Sequence, residues 1–171
     1  MDQIIQFVKG QNPAYSLLEQ SCLTINDPNI LLMILSYDIP WTTDIMRELA
    51  KTGNLPAMKW ARQNGCPWDS CVCRYAAGNG HIECLKWLRD PRKHPNGPCP
   101  WDSWVCANAA LNGHLYILKW LRDPREHQNG PCPWDEWVCA NAVLNGHLHV
   151  LKWLRDPQEH PNGVCPWDLG A

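Results

Sequence analysis

The stretch Cys99-Pro-Trp-Asp-Ser-Trp-Val-Cys-Ala-Asn-Ala-Ala-Leu-Asn-Gly-His-Leu-Tyr-Ile-Leu-Lys-Trp-Leu-Arg-Asp-Pro124 decides the fold, because the chain nearly repeats it from Cys132 and partly repeats it from Cys66. A residue that recurs in every copy of a repeat is more often structural than catalytic. The repeats therefore have to be placed before any residue is given a chemical role.

The Pro-Trp pairs measure the period of this repeat. Four successive prolines stand 33 residues apart: Pro67, Pro100, Pro133 and Pro166. Earlier in the chain the spacing is 27 residues, from Pro13 to Pro40 and from Pro40 to Pro67, although Ala14 replaces the first Trp. We predict one domain over residues 1–171, with an N-terminal cap at 1–12, repeats at 13–39, 40–66, 67–99, 100–132 and 133–165, and a partial repeat at 166–171.

The two spacings differ in the length of one loop. Trp60 is joined to Cys66 by five residues, whereas Trp87 is joined to Cys99 by eleven residues that include three prolines and Asn96-Gly97. An insertion confined to one loop of every later unit lies on one face of a repeat array.

Each unit is predicted to hold two helices. Asp102 is placed as the N-cap of the first helix, which Asn112-Gly113 ends because glycine tolerates a positive φ. The second helix begins near His114 and has a wide apolar side. It is expected to end at Asp123, because Pro124 disfavours helical geometry at the residue before it.

The run Ala109-Ala-Leu-Asn-Gly-His-Leu-Tyr-Ile-Leu-Lys-Trp-Leu121 resembles the core of the ankyrin repeat, and the runs at 76–82 and 142–148 match it too. The usual length of that repeat is also about 33 residues. The chain departs from the family in lacking its Thr-Pro-Leu-His and Gly-Ala-Asp motifs, and its Cys-Pro-Trp-Asp is similar to the divergent arrays of giant DNA viruses and some protists. The resemblance implies an all-α, ankyrin-like helix-turn-helix solenoid whose long Pro- and Gly-containing loops stand in place of, or form, β-hairpin fingers.

Composition and charge disfavour several classes of function. The net charge is −2, and the basic residues are spread over the units, mostly in Lys-Trp-Leu-Arg, which we interpret as a solvated face. The longest apolar run, at 30–35, is too short to cross a membrane, and no targeting or lipidation motif appears. We therefore expect an intracellular, cytoplasmic protein, in the host cytoplasm if it is viral, that binds neither nucleic acid nor membrane.

The ten cysteines favour buried thiols over a metal site. Cysteines at one repeated position are expected about 10 Å apart, the spacing of packed helices, which is too far for a disulfide. No Cys-x-x-Cys pair is present. A zinc site near one local group stays a minor alternative: Cys66, Cys71, Cys73 and Cys84.

The histidines form two repeated sets. One set stands at the Gly-His junction, where the resemblance implies that the side chains cap and brace the second helix: His81, His114 and His147. The other set lies in the long loops, is expected to be exposed, and suits either a contact role or a turn role: His94, His127 and His160. No phosphate-binding Gly-rich loop, His-Glu-x-x-His or nucleophile-base pattern appears, so we expect no catalysis and no cofactor.

The remaining candidate is a surface that binds another protein. Helical spacing on the first helix of each unit gives one face: Trp104, Asn108, Leu111, Trp137, Asn141, Leu144 and, in the earlier unit, Tyr75. The resemblance implies that this face lines a concave groove, where aromatic residues suit an interaction anchor. The alternative is that the two tryptophans pack between adjacent units. The long loops add charges that drift from basic to acidic along the array: Arg92 and Lys93, Arg125 and Glu126, Gln158 and Glu159.

Two functions are therefore predicted. The first is a non-catalytic scaffold that binds a partner protein through the concave helix face and the long loops. The second is a structural component that self-associates through the C-terminal face of the unit at 133–165, which the short stretch after it is not expected to cover.

Overall fold

The computed structural model describes residues 41–127, 130–160 and 164–166. Within these ranges the chain forms eight α-helices and no β-strand: α1 (Thr43–Thr52), α2 (Leu55–Gln63), α3 (Ser70–Gly78), α4 (Ile82–Arg89), α5 (Ser103–Leu111), α6 (Leu115–Arg122), α7 (Glu136–Leu144) and α8 (Leu148–Leu154). The predicted all-α helical repeat is confirmed. The expected cap at 1–12, the unit at 13–39 and all but Pro166 of the partial repeat lie outside the described residues.

The chain divides after Pro67 into two compact parts, which are taken separately. In the first part α1 packs on α2, and the buried side chains between them are mostly aliphatic: Met46, Leu49, Ala50, Ala57, Met58 and Ala61. Gly53 ends α1 with φ +71°, and the Asn54 side chain caps α2 by accepting a hydrogen bond from the Ala57 N–H at 3.1 Å.

In the second part, three helix pairs follow one another along the chain. The first helices of the pairs pack side by side, α3 on α5 and α5 on α7, and each second helix packs against its own first helix. Small residues fill the contact between first helices: Val105, Cys106, Ala109 and Ala110 are fully buried. The second helices supply larger side chains such as Leu118 and Leu121, each of which contributes about 1.5–3 kcal/mol when fully buried.

The turns between paired helices follow the local chemistry. Gly113 has φ +73° after α5, α6 begins at Leu115, and α6 ends at Arg122, just before Asp123-Pro124. These boundaries match the predicted ones.

Asp102 is the N-cap residue of α5, as predicted, although its side chain makes no cap hydrogen bond. The Asp69 and Asp135 carboxylates accept hydrogen bonds from the N–H groups of Cys71 and Trp137, whereas the Asp102 carboxylate makes no cap and binds the Arg74 guanidinium of the preceding repeat. The junction histidines stand at the N-cap positions of α4, α6 and α8 without a side-chain cap hydrogen bond, and two of them instead bond backward to the preceding repeat. His114 Nε2 lies 3.1 Å from the Gly78 carbonyl oxygen and His147 Nε2 lies 3.0 Å from that of Leu111.

Candidate functional site

The predicted aromatic anchors lie at the start of two neighbouring first helices. Trp104 on α5 and Trp137 on α7 stack with ring centroids 6.3 Å apart and an interplanar angle of 20°. Their side chains nevertheless stay 45% and 51% exposed. Tyr75, one turn further along α3, is exposed as well. These three residues are called the aromatic face below; its two tryptophans both contact each other and present ring surface to solvent.

The other residues predicted for this face differ in their surroundings. Asn108 donates from Nδ2 to the Trp104 carbonyl oxygen at 2.8 Å, and Asn141 donates to the Ala107 carbonyl of the preceding helix at 3.3 Å. The Asn108 amide is therefore engaged within α5, and the Asn141 amide links α7 to α5. Leu111 is half-buried, whereas Leu144 is among the most exposed apolar side chains of the described residues.

The three long loops share one backbone design. The Asp that follows each second helix accepts a hydrogen bond from the N–H two residues later, at 2.9–3.0 Å for Asp90, Asp123 and Asp156. At the far end of each loop, the N–H of Cys99, Cys132 or Cys165 bonds back to a leucine carbonyl near the end of the helix that the loop has left. The inserted residues therefore form closed loops, and none of those described is in a β-strand.

The prediction that the loop histidines are exposed is wrong. His94 and His127 are only 6% and 8% exposed, and His160 is half-buried. Each ring sits against two tryptophans: for His127 the ring centroids lie 4.8 Å from Trp101 and 4.6 Å from Trp120. Each Nε2 also lies 2.8–3.0 Å from a tryptophan carbonyl of the preceding helix. The closed loop folds back over the helix end, and its histidine fills the space between the two indoles.

Burial sets the protonation state of two of these rings, those of His127 and His160. Burial lowers the pKa of His127 and of His160, which keeps both rings neutral at neutral pH. Because a carbonyl only accepts, Nε2 carries the hydrogen and donates it to the backbone. These histidines anchor the loops.

The Lys-Trp-Leu-Arg segment is also not the solvated face that the sequence suggested. Its lysines are exposed, but Arg122 Nη1 donates to the Cys132 carbonyl at 2.6 Å, and its guanidinium carbon lies 4.0 Å from the Trp134 ring centroid. Arg89 makes the same two contacts with Cys99 and Trp101. The signal that sequence reasoning missed was that this Arg recurs in the short unit as well, where Arg62 donates to the Cys66 carbonyl at 3.0 Å.

The loop residues predicted to contact a partner are exposed, and most of them also make ion pairs or hydrogen bonds within the protein. Arg92 and Arg125 bind the aspartates of their own loops, with closest N–O distances of 2.9 and 2.6 Å. The Arg125 guanidinium lowers the pKa of Asp123 to about 2. Glu126 accepts a hydrogen bond from Trp120 Nε1 at 3.3 Å, and Lys93 is exposed.

The described cysteines are free thiols, and all but Cys71 are buried. The Cys99 Sγ donates to the Asp69 carbonyl at 3.3 Å, and Cys132 and Cys165 make the equivalent bond at 3.5 Å. Contact with Cys73 and burial raise the pKa of the Cys99 thiol. Cys99 stands shortly before α5, whereas Cys73 lies inside α3, the preceding first helix. The sequence prediction concerned only cysteines at the same position of successive units. Within the described ranges, no group of three or more His, Cys, Asp or Glu residues could hold a metal ion.

Comparison with known proteins gives one match. A family model described as ankyrin repeats (many copies) matches residues 46–89, from the middle of α1 to the end of α4. No curated protein and no solved structure matches the chain. No helix among the described residues is long and apolar enough to cross a membrane. The match shows that residues 46–89 are similar to ankyrin repeats.

Proposed function

We propose that this protein is a non-catalytic ankyrin-repeat scaffold that binds a partner protein through its aromatic face and its long loops. Ankyrin repeats are in general protein-protein interaction modules. The observation that carries the proposal is the stacked pair of Trp104 and Trp137, about half of whose surface remains exposed.

The physical case for the aromatic face rests on how tryptophan contributes to binding. Large aromatic side chains are enriched among the residues that dominate binding energy at protein interfaces. Here the two rings are held by stacking and stand on helices that pack through small buried residues. A partner therefore meets a surface that loses little side-chain entropy on binding. If this face lies in a concave groove, as the family resemblance implies, the partner would contact both the aromatic face and the long loops.

Affinity capture from cell lysate tests this proposal. A variant with Trp104→Ala, Trp137→Ala and Tyr75→Ala is compared with the intact chain, after circular dichroism has shown equal helix content. Lys152→Ala, which truncates an exposed residue on α8 outside the aromatic face, is the control. We expect a protein that the intact chain and the control retain and the triple variant loses. Equal retention by all three chains would overturn the aromatic face as the binding site.

A second candidate function is self-association through the last helix pair. Leu144 and Leu148 are 76% and 65% exposed, and Val143, next to Leu144 in the sequence, is exposed too. Monomeric proteins rarely leave large contiguous apolar patches uncovered. Sedimentation velocity over a concentration series tests this function: if it holds, the intact chain forms larger species that the double variant Leu144→Asp, Leu148→Asp does not. A concentration-independent monomer would exclude it.

We also propose that the protein acts in a reducing compartment such as the cytoplasm. The support is the structural use of its thiols, because Cys99, Cys132 and Cys165 donate to backbone carbonyls while remaining reduced. The Cys-Pro-Trp-Asp motif of the repeats supports an origin in a giant DNA virus or a protist. If the protein is viral, the compartment is the cytoplasm of the host cell.

A further inference from the structure

Two grooves of the same construction lie between successive long loops of the second part. The first groove, of about 400 Å³, is bounded by the end of α4, the loop after it and the next loop. The second, of about 680 Å³, is bounded by the end of α6, the loop after it and the loop after α8. Arg125 lines both grooves, which makes them neighbours along the array.

Both grooves carry a surplus of positive charge. The first is lined by four cations, Lys86, Arg89, Arg92 and Arg125, and by two carboxylates, those of Asp90 and Glu126. The second is lined by three cations, Lys119, Arg122 and Arg125, and by two carboxylates, those of Asp123 and Glu159. The chain as a whole has a net charge of −2, so the net charge of each groove is opposite in sign to that of the whole chain.

The arginine at the base of each groove has hydrogen-bonding capacity left over. Arg89 and Arg122 donate from Nη1 to cysteine carbonyls and lie over tryptophan rings. Their Nε atoms are buried and have no hydrogen-bond partner among the described residues. An acceptor that enters either groove would meet a guanidinium already held flat by its tryptophan.

The second groove adds a buried indole donor with no acceptor. Trp153 lines this groove and is only 8% exposed, and its Nε1 has no hydrogen-bond partner among the described residues. In the first groove the equivalent atom, Trp120 Nε1, donates to Glu126. In the second groove Glu159 lies instead 3.8 Å from Lys119 Nζ. Buried polar groups in folded proteins nearly always have a partner, so the orphaned indole N–H indicates an acceptor from outside.

We propose that the two grooves bind an acidic segment of a partner protein, one carboxylate side chain in each groove. The second groove carries one net positive charge, which a single carboxylate neutralises, whereas a phosphate dianion would overcharge a site that already holds two carboxylates. Adjacent repeats lie about 8–10 Å apart. Three residues of a polyproline II segment span about 9 Å and return to the same face. The fitting partner therefore carries Asp or Glu at every third position of an extended segment.

This inference deepens the proposed function, since its occupant is a protein segment, but it concerns the long loops and not the aromatic face. Peptide binding to the grooves can therefore fail while the aromatic face still captures a partner. Conversely, the peptide can bind although the aromatic-face variant captures the same proteins as the intact chain. The two proposals are tested separately.

The test uses three synthetic peptides of repeated triplets, Glu-Pro-Pro, Gln-Pro-Pro and phosphoserine-Pro-Pro, titrated into the intact chain by calorimetry. We expect the Glu peptide to bind, with affinity that falls as salt rises, and the Gln peptide to bind at least about tenfold more weakly, because charge-assisted hydrogen bonds are lost. Equal binding of the Glu and Gln peptides, or no binding of the Glu peptide, would overturn the proposal. Tighter binding of the phosphoserine peptide would also overturn it, in favour of a phosphate site.

Two variants locate the binding. Trp153→Phe removes the orphaned N–H and keeps an aromatic ring, and Arg125→Ala removes an exposed side chain shared by both grooves. We expect each to weaken Glu-peptide binding by about fivefold to tenfold, a loss typical of one charge-assisted hydrogen bond. Lys152→Ala, an exposed lysine on α8 that lines neither groove, should leave binding unchanged. Unchanged affinity in both groove variants would place the peptide elsewhere and overturn the assignment.

Discussion

Single residues of this chain act mostly by linking one repeat to the next. His147 reaches back to the Leu111 carbonyl and lies against Gly113, where a Cβ would be only 2.7 Å from the ring Nδ1. Gly113 is thus required twice, once for its positive φ and once for the close approach of the following repeat. A residue that sequence reasoning assigned to a turn also sets the distance between two helix pairs.

Replacing Gly113 with Ala should therefore cost more than the same change at the next equivalent turn. Gly146 has nearly the same φ, +69°, but a Cβ there would meet nothing within 4 Å. We expect Gly146→Ala to lower the free energy of unfolding by about 1–2 kcal/mol through backbone strain alone. Gly113→Ala should cost about 1–3 kcal/mol more, because the His147 ring is displaced as in an overpacked core. Urea denaturation of both variants measures the difference, and equal losses would contradict the role given to His147.

The buried loop histidines predict how stability depends on pH. Burial lowers the pKa of His127 in the folded state, and nearby Arg89 acts in the same direction, so the unfolded chain binds the proton more readily. Stability is then fully present above the unfolded pKa of about 6.5 and is lost as pH falls below it. Melting temperatures between pH 8 and pH 5 should show this fall.

Two variants separate His127 from the other titrating groups. With His127→Gln, the melting temperature should fall less between pH 8 and pH 5 than it does for the intact chain, because a neutral amide replaces the ring that protonation would charge. Gln158→Ala changes an exposed residue that has no titrating group and should leave the pH dependence as in the intact chain. An unchanged slope in the His127 variant would mean that other groups control the transition.

At the scale of elements, the long loop adds residues to a connection between repeats that the short unit forms without them. In the short unit the Cys66 N–H bonds to the Ala61 carbonyl, and Arg62 donates to the Cys66 carbonyl. In the long unit Cys99 makes the same two bonds with Leu88 and Arg89. The helix-to-helix connection is therefore the same in both lengths, and the extra six residues supply the buried histidine and one wall of a groove.

This comparison predicts the result of shortening one loop. Replacing residues 90–98 with Gln-Asn-Gly, the residues at 63–65, should preserve the helix content measured by circular dichroism. The melting temperature should fall by about 4–8 °C, as for a loss of about 2 kcal/mol in a chain of this size, because the contacts of His94 with Trp68 and Trp87 disappear. Binding of the Glu peptide should weaken.

The control for this change keeps the loop length. Arg92→Ala with Lys93→Ala removes two exposed charges and leaves His94 in place. We expect the melting temperature of this variant to match that of the intact chain within a degree or two, since exposed ion pairs contribute little to stability. If the shortened loop unfolds the helices on either side of it, the inserted residues are part of the connection itself.

Over the whole molecule, the predictable features are those that local chemistry decides. Gly113 and Pro124 end their helices through local backbone chemistry, whatever the tertiary contacts of the chain. The helix boundaries could therefore be predicted from the sequence. The small buried side chains of α5 were predictable for a similar reason, because their spacing alone puts them on one face. The burial of His94 and Arg89 was not predictable, because it depends on a loop closing over tryptophans of two different elements. The grooves form because the long loops close over these tryptophans, so they could not be predicted from the sequence either.

The position of each helix pair in the second part predicts its local stability. The central helix α5 packs on two first helices, α3 and α7, whereas among the described helices α7 packs extensively on one, α5, and exposes Leu144. In repeat arrays stability is close to a sum of unit and neighbour terms, so a helix with fewer neighbours opens more easily. Backbone amides of α7 and α8 should therefore exchange hydrogen faster than those of α5 and α6 in dilute solution.

Repeating this exchange measurement at high protein concentration separates the two candidate functions. If the last helix pair mediates self-association, its amides gain protection as concentration rises, and the double variant Leu144→Asp, Leu148→Asp loses that gain while α5 is unaffected. If the chain is a monomeric scaffold, exchange in α7 and α8 is the same at both concentrations, and protection appears instead around Trp104 and Trp137 when a captured partner is added. Exchange in α7 as slow as in α5 at every concentration would contradict the neighbour argument, because it would require a cover on this face that is independent of association.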